Sequence, residues 1–506
     1  MGVLSSLPFR RIMSQSHISR RIVSSLIAFV LGVSPLSITF AQTGINDLPD
    51  LGESARAELS PQLERKIGES IMNQIRQREP SYIDDPEIND YLANLGRRLV
   101  EASDSPTGEF QFFAIRDNTV NAFAMFGGYI GVNTGTMLTA QSESELAGVI
   151  AHEIAHVTQH HLARQIAKEK QNTIPSLVAM ALGILAARSN TSVAAGTVAS
   201  VQAGIIQSQL AYSRDFEREA DRMGYQTLEK AGFDVRGMGE FFGRLQNVTR
   251  LYDNNAPVYL RSHPLTVERL SDMQNRAAES PYRQVVSSLE FHLIRARLRA
   301  QEGTPRDAVR EFEKLLREKK YVSQAAVQYG LSLALLRARD FEGAKRASES
   351  LTALADSSPI IAGLVAEIRG ASGDFTDAHA IYRAALQRFP QAKALVYGYA
   401  ESLFSARDLQ TAQEFLASQL QRDAWDYKLY GLQAKNYAAM GKQLLQHRAQ
   451  AEFYYLQGQL GPAIEQLEFA QKAKDGNFYE LSAVDARLRE LRKQHMEEEK
   501  RKRNGG

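Results

Sequence analysis

Apolar residues recur at helical spacing through most of the chain, and the interruptions are short. Ile67 to Arg76 and Ile88 to Ala102 place apolar side chains three and four apart, as one buried helix face requires. Phe110 to Ile115 and Tyr129 to Val132 are aromatic and β-branched runs too short for helices, so they predict strands. Ser142, Glu143, Ser144 and Glu145 supply a cap and an acidic first turn ahead of Leu146, Val149 and Ile150, which predicts a buried helix from that point. Two apolar segments, Ile174 to Ala187 and Val193 to Ile206, are broken by Arg188-Ser189-Asn190-Thr191-Ser192. Each falls short of the about 20 residues that span a bilayer. They predict a helical hairpin serving as lid or core, with contact at a membrane surface, or insertion, as alternatives.

From Ser287 onward the pattern becomes paired helices with regularly placed alanines. Gly303, Arg339 and Gly373 precede Ala308, Ala344 and Ala378, and Ala412 follows, at intervals of 36, 34 and 34 residues. That is the period of tetratricopeptide repeats, in which a small residue lets neighbouring helices approach closely. The next strong match, Gly458 to Ala463, comes about one and a half periods later, so an irregular helix pair is expected around Gly441 to Gln457. Glu497 to Gly506 reads as a charged, disordered tail.

Arg10, Arg11, Arg20 and Arg21 precede an apolar run from Ile22 to Val33, and Thr39-Phe40-Ala41 follows as a small-x-small cleavage pattern. The organisation expected is a signal peptide at 1–41, an extended Gly/Pro/Asp-rich arm at 42–62, a catalytic domain at 63–281, a repeat array at 287–480 and a charged tail at 481–506. A formal charge of +2 gives no global reason to expect nucleic acid. The absence of cysteine excludes disulfides, thiolate metal ligands and a lipid-modified N-terminal cysteine. Export without disulfides points to a bacterial periplasm.

The chemistry lies in His152-Glu153-Ile154-Ala155-His156. Four residues make a little over one turn, so both imidazoles leave one helix face and can share a Zn²⁺ ion, with Glu153 beside the water that attacks. A catalytic zinc needs a third protein ligand. His160 lies a further turn along and is a weak candidate. Glu217 and Asp221, four apart within Ser213-Arg214-Asp215-Phe216-Glu217-Arg218-Glu219-Ala220-Asp221, share a face: Glu217 would be the carboxylate ligand and Asp221 the acceptor for the free N–H of His152. Glu219 points away and stands as the fallback ligand. Tyr259, Arg261 and His263 are candidates for stabilising the oxyanion.

The pair His152-Glu153-x-x-His156 and Ser213-Arg214-x-x-Glu217-x-x-Ala220-Asp221 resembles the zinc metallopeptidase family that includes the CAAX prenyl endopeptidases and the membrane heat-shock proteases. Asn121 to Ile130 resembles that family's edge strand beside the active site, and Ser262-His263-Pro264-Leu265 resembles a histidine motif of its periplasmic branch. With Leu48 to Gly52 and the repeats, the resemblance covers nearly all of the chain after the leader. It implies a mostly α fold: an HExxH zinc metallopeptidase domain with a small β-sheet, followed by an α-solenoid of tetratricopeptide repeats. It implies one Zn²⁺ held by His152, His156 and Glu217, catalysis by Glu153 and Asp221, His263 as a regulatory fourth ligand, and Asn121, Ala122, Phe123 and Ala124 as a substrate-binding edge. The implied clients are unfolded or stalled outer-membrane proteins, degraded or helped to assemble, and the implied partner of the array is the outer-membrane barrel assembly machinery. Peripheral membrane contact stays open, and the alternative is a scaffold whose proteolysis is latent or rare.

Overall fold

The structure, a computed structural model, describes residues 60–106, 108–169, 212–251, 258–281 and 283–504. The expected signal peptide, nearly all of the arm and the apolar hairpin at 174–206 lie outside the described residues. The described residues all belong to one compact unit.

Helix α1 (Pro61–Arg78) opens at Ser60, whose hydroxyl accepts from the Leu63 amide, and buries Ile67, Ile71, Met72 and Ile75. After β1 (Tyr82–Ile83) comes α2 (Pro86–Ala102), capped by Asp85, with Ile88, Leu92, Leu95 and Leu99 inward. Strands β2 (Gln111–Ile115), β3 (Ala122–Ala124) and β4 (Tyr129–Asn133) complete a four-stranded sheet in the order β1-β2-β4-β3. β2 and β4 are parallel, while β3 runs antiparallel to β4 with Phe123 opposite Gly131, so β3 is an edge. The β3–β4 turn needs glycine. Gly127 and Gly128 have φ of 73° and 79°, and a Cβ on Gly128 would stand 2.1 Å from the Glu109 carbonyl oxygen.

A short α3 (Thr134–Thr139) leads into α4 (Glu143–Thr158), capped by Ser142. Glu143 through His156 is buried without a break, so α4 is a central helix and not an amphipathic surface one. His160, with φ of 51°, ends its course and redirects the chain into α5 (His161–Glu169). Helices α6 (Arg214–Lys230) and α7 (Arg236–Leu251) pack on α4, followed by α8 (Val258–Ser262) and α9 (Val267–Glu279).

The array begins with α10 (Leu289–Gln301) and α11 (Pro305–Glu318), then α12 (Gln324–Arg337) and α13 (Phe341–Ser348). The third and fourth pairs are α14 (Pro359–Ala371) with α15 (Phe375–Arg388), and α16 (Lys393–Ser405) with α17 (Leu409–Arg422). Ala308, Ala344, Ala378 and Ala412 are all buried, and the turn before each holds a residue at positive φ: Gly303, Arg339, Gly373 and Arg407. Two expectations are corrected here. The pair expected to be irregular is a regular fifth unit, α18 (Tyr427–Ala439) and α19 (Gln443–Leu456), whose turn at Gly441 also has positive φ. The expected charged tail is instead helical: α20 (Leu460–Lys472) is followed by α21 (Phe478–Asn504), which buries Val484, Leu488 and Leu491. Those three, spaced four and three apart, form an apolar stripe that the surrounding charges obscure.

Peptidase and array share one buried cluster, running from Ile83 and Leu92 through Ile150 and Phe241 to Phe291, Tyr329 and Ile361. Their junction is polar and specific. Glu143, in the first turn of α4, accepts from the Ser288 amide (3.0 Å) and hydroxyl (2.7 Å) at the cap of α10, and from Tyr91 Oη (3.1 Å). The Glu143 amide in turn donates to Ser287 Oγ at 2.9 Å. Arg297 pairs with Asp85 and Glu87 at 2.8 and 2.7 Å. Farther along, Tyr427 Oη donates to Asp84 and Gln77 donates to the Gln457 carbonyl. No helix among the described residues is long and apolar enough to cross a membrane.

Candidate metal centre

Two histidines one turn apart on α4 face a carboxylate on α6, and the loop after α8 adds a third imidazole. One ligand atom from each of His152, His156, Glu217 and His263 falls within 4.8 Å of the others, and all four residues are buried. His152 Nε2 and His156 Nε2 are 3.0 Å apart, and each is 3.5 Å from a Glu217 oxygen. His263 Nδ1 lies 2.9 Å from Glu217 Oε1 and 3.4 Å from His152 Nε2. Such spacings suit ligands about 2 Å from one small cation. The chemistry of the set also fits: Glu153, Glu217 and Asp221 bring three formal negative charges around the guanidinium of Arg269, and against the cost of burial Asp221 and Glu217 raise His152 to about 9, so its ring holds a positive charge that a divalent cation would replace. Both Glu153 oxygens are buried with no hydrogen-bond partner, the state of a carboxylate positioned for an incoming group.

Each ligand is held from behind. His152 Nδ1 is 3.1 Å from Asp221 Oδ1, which fixes that nitrogen as the donor and leaves Nε2 for the cluster. Asp221 is gripped by Arg269 through Nε at 2.6 Å and Nη2 at 2.8 Å; Arg269 Nη1 reaches Glu217 Oε2 and the Pro264 carbonyl, each at 2.7 Å. Burial alone would raise the Asp221 carboxyl, but hydrogen bonds from Arg269 and His152 hold it below its ordinary value. Glu217 likewise lies well below the usual range, because the neighbouring His263 and His152 outweigh its desolvation.

On the other side, His156 Nδ1 lies 2.9 Å from His161 Nδ1, and His161 Nε2 lies 3.2 Å from Glu219 Oε2, which also accepts from Arg164 at 3.0 Å. One tautomer chain satisfies all three contacts: His156 donates to His161, and His161 donates to Glu219. Burial pulls His161 down to about 4, so it stays neutral and can accept.

Among the sequence candidates, His152, Glu153, His156, Glu217, Asp221 and His263 are brought together. His160 is not in the cluster, and Glu219 serves His161 in place of a metal. Tyr259 is buried, with its ring 4.6 Å from that of His263 and its hydroxyl unpartnered, whereas Arg261 points outward on α8. Asn121 and Ala122 are buried, and β3 packs beside α4. Sequence reasoning missed Arg269 and Tyr212, whose ring stacks on His156 at 3.9 Å. The demand of buried carboxylates for a counter-charge is a signal, but it does not say which arginine answers.

Comparison with known proteins follows the same division. Residues 86–277 match Peptidase family M48, and residues 371–435 match a tetratricopeptide repeat. The β-barrel assembly-enhancing protease of Escherichia coli K12 is 31% identical over 488 residues, covering 94% of this chain and 97% of that protein. The Yersinia pestis protein of that name is 30% identical over 481 residues, 93% and 98%. A Vibrio cholerae relative is 39% identical over 316 residues, 62% of this chain and 64% of its own length.

Proposed function

The chain belongs to peptidase family M48 as a metalloendopeptidase joined to a tetratricopeptide array, and on that premise we propose that it is a zinc endopeptidase and chaperone of the periplasm that degrades misfolded or stalled outer-membrane proteins and promotes barrel assembly. The observation that carries the chemistry is the buried convergence of His152, His156 and Glu217 beside the Glu153 carboxylate, which makes no hydrogen bond and faces His263 Nε2 at 3.6 Å. Those three residues would hold the zinc, which when bound supplies Lewis acidity to water and to the scissile carbonyl. Glu153 takes the proton of the attacking water and hands it to the leaving nitrogen. Asp221 keeps His152 in its tautomer, and Arg269 keeps Asp221 and Glu217 in place.

The edge strand Asn121-Ala122-Phe123-Ala124 gives an extended client a main-chain register next to α4, which suits a protease that selects for unfoldedness more than for sequence. The array would engage the client or the barrel assembly machinery. His263 supports a latent resting state, because a fourth protein ligand fills the position water needs. In that state the chaperone role of the array dominates until the Ser262-His263-Pro264 loop moves.

The test uses purified Glu153→Gln and His263→Ala. Glu153→Gln should retain one zinc per chain and lose cleavage of an unfolded barrel protein; His263→Ala should retain zinc and cleave faster and less selectively. Cleavage by Glu153→Gln at the normal rate would reject the proton-transfer role, and loss of cleavage in His263→Ala would reject the latch.

A further inference from the structure

A cavity of about 600 Å³ lies where α10 and α12 meet Gln141, the residue just ahead of the cap of α4. Arg295 and Arg299 stand one turn apart on its wall with His292 and Lys320 beside them, and among the described residues that line it none is Asp or Glu. Like charges at that spacing repel. Lys320 has a partner in Glu318 at 2.8 Å, but Arg295 gives one N–H to the Leu138 carbonyl at 3.0 Å and leaves its Nε buried without an acceptor. Burial, aided by the charge of Arg299, pulls the Arg295 guanidinium down to about 10, and burial with Arg295 lowers His292 as well. The carboxylates whose charge reaches Arg295 and His292 are committed elsewhere: Glu145 to Arg244, and Glu143 to Tyr91 and Ser288. The first turn of α12, at Ser323, opens on the same space and adds positive potential. An apolar part of the wall is formed by Phe312, Leu315, Val322 and Val327, with Gln141 and Tyr321 beside it.

We propose that this cavity binds the C-terminal carboxylate of a polypeptide whose last residue is apolar. Paired guanidinium forks match a carboxylate in its own plane. The apolar wall gives the last side chain a place to bury, which a free inorganic oxyanion would not use. Two sources supply such an end: the client's own C-terminus, and each cut, in which water adds its oxygen to the carbonyl carbon, the C–N bond breaks, and a carboxylate and an amine result. Only the second source rests on the peptidase reading; the binding itself does not.

The experiment is fluorescence anisotropy on the full zinc-loaded chain carrying Glu153→Gln, so that the probe survives. The probes are a fluorescein-labelled peptide ending in leucine with a free carboxylate and the same peptide as its C-terminal amide, with inorganic phosphate as competitor. The acid should bind roughly ten- to a hundred-fold more tightly than the amide, the range for losing a charge-assisted contact. Because Arg295→Ala can disturb α10, the decisive second variant is Arg299→Gln with an unchanged thermal melt, in which the difference should vanish. Equal affinity for acid and amide, a difference that survives Arg299→Gln, or phosphate binding as tightly as the acid would each overturn the proposal. If the acid but not the amide also slows cleavage by the chain with Glu153 intact, the pocket takes product ends; binding without inhibition assigns it to the client's own terminus. A chain that binds the acid yet never cleaves would refute the peptidase reading alone.

Discussion

Among the described residues Arg269 is the guanidinium that contacts both Glu217 and Asp221, and replacing it should deepen the negative charge of the centre and make its stability depend more on metal. Its side chain is buried and makes two contacts to Asp221, one to Glu217 and one to the Pro264 carbonyl, all between 2.6 and 2.8 Å. Charge-assisted hydrogen bonds are worth roughly 1.5–3 kcal/mol each, but their sum overstates the loss, because water and protons partly replace what is removed. The realistic scale is that of breaking a buried ion pair from one side, roughly 3–5 kcal/mol. Arg269→Leu should therefore lose about that much in urea unfolding with a chelator present. With zinc bound the cost should fall to roughly 1–2 kcal/mol, because the cation takes over part of the neutralisation. Cleavage should fall roughly ten- to a hundred-fold as Asp221 loses its tether and His152 its fixed orientation. Arg269→Lys, a point charge that reaches one carboxylate well, should lie between. A chelated Arg269→Leu chain within about 1 kcal/mol of the parent, or one whose stabilisation by zinc is no greater, would refute the charge-balance argument.

His161→Phe keeps the ring and removes the acceptor for His156, so zinc affinity measured against a chromogenic chelator should fall roughly ten- to a hundred-fold with the fold intact; an unchanged affinity would make the His161–Glu219 contact incidental. Burial pushes Glu87 up to about 7, only partly countered by Arg297, so its contribution to stability is present below the unfolded value near 4.5 and is lost as pH rises toward 7. Glu87→Gln should flatten that slope by up to roughly 3 kcal/mol in urea midpoints between pH 5 and 8; an identical slope would remove Glu87 as its cause. Ending the chain after Ser287 should give an insoluble product, because Phe291, Leu293 and Ile294 complete the peptidase core; a soluble, zinc-binding fragment would show that the shared core is dispensable.

The parts of the centre legible in the sequence are those with local geometry. His152 with His156, and Glu217 with Asp221, are one helical turn apart, so spacing alone puts each pair on a face. His161 is harder to read because the turn at His160 breaks the straight-helix reasoning that carries the residues beyond His156 away from the metal. Arg269 is set by charge balance across three elements, which no spacing records. In the array, the period was visible where alanine marks the close approach. It was lost at the fifth unit, where Gln446 takes that place and only the Gly441 turn keeps time.

The carboxylate of Glu143, shared between the start of the metal helix and the cap of the first array helix, also says something about timing. The ring of His263 follows that of His152 by 111 residues, and Ser288 follows Glu143 by 145. A ribosome makes the two histidines of α4 long before the side chains that balance and orient them. Until Ser287 and Ser288 exist, the Glu143 amide and carboxylate lack their partners, and until Arg269 exists, two buried carboxylates lack their guanidinium. The growing enzyme is thus a long stretch of chain with the recognisable motif already made and no means of using it. Such long-range closure makes for slow folding, and it delays the arrival of a working protease until most of its own polypeptide is present.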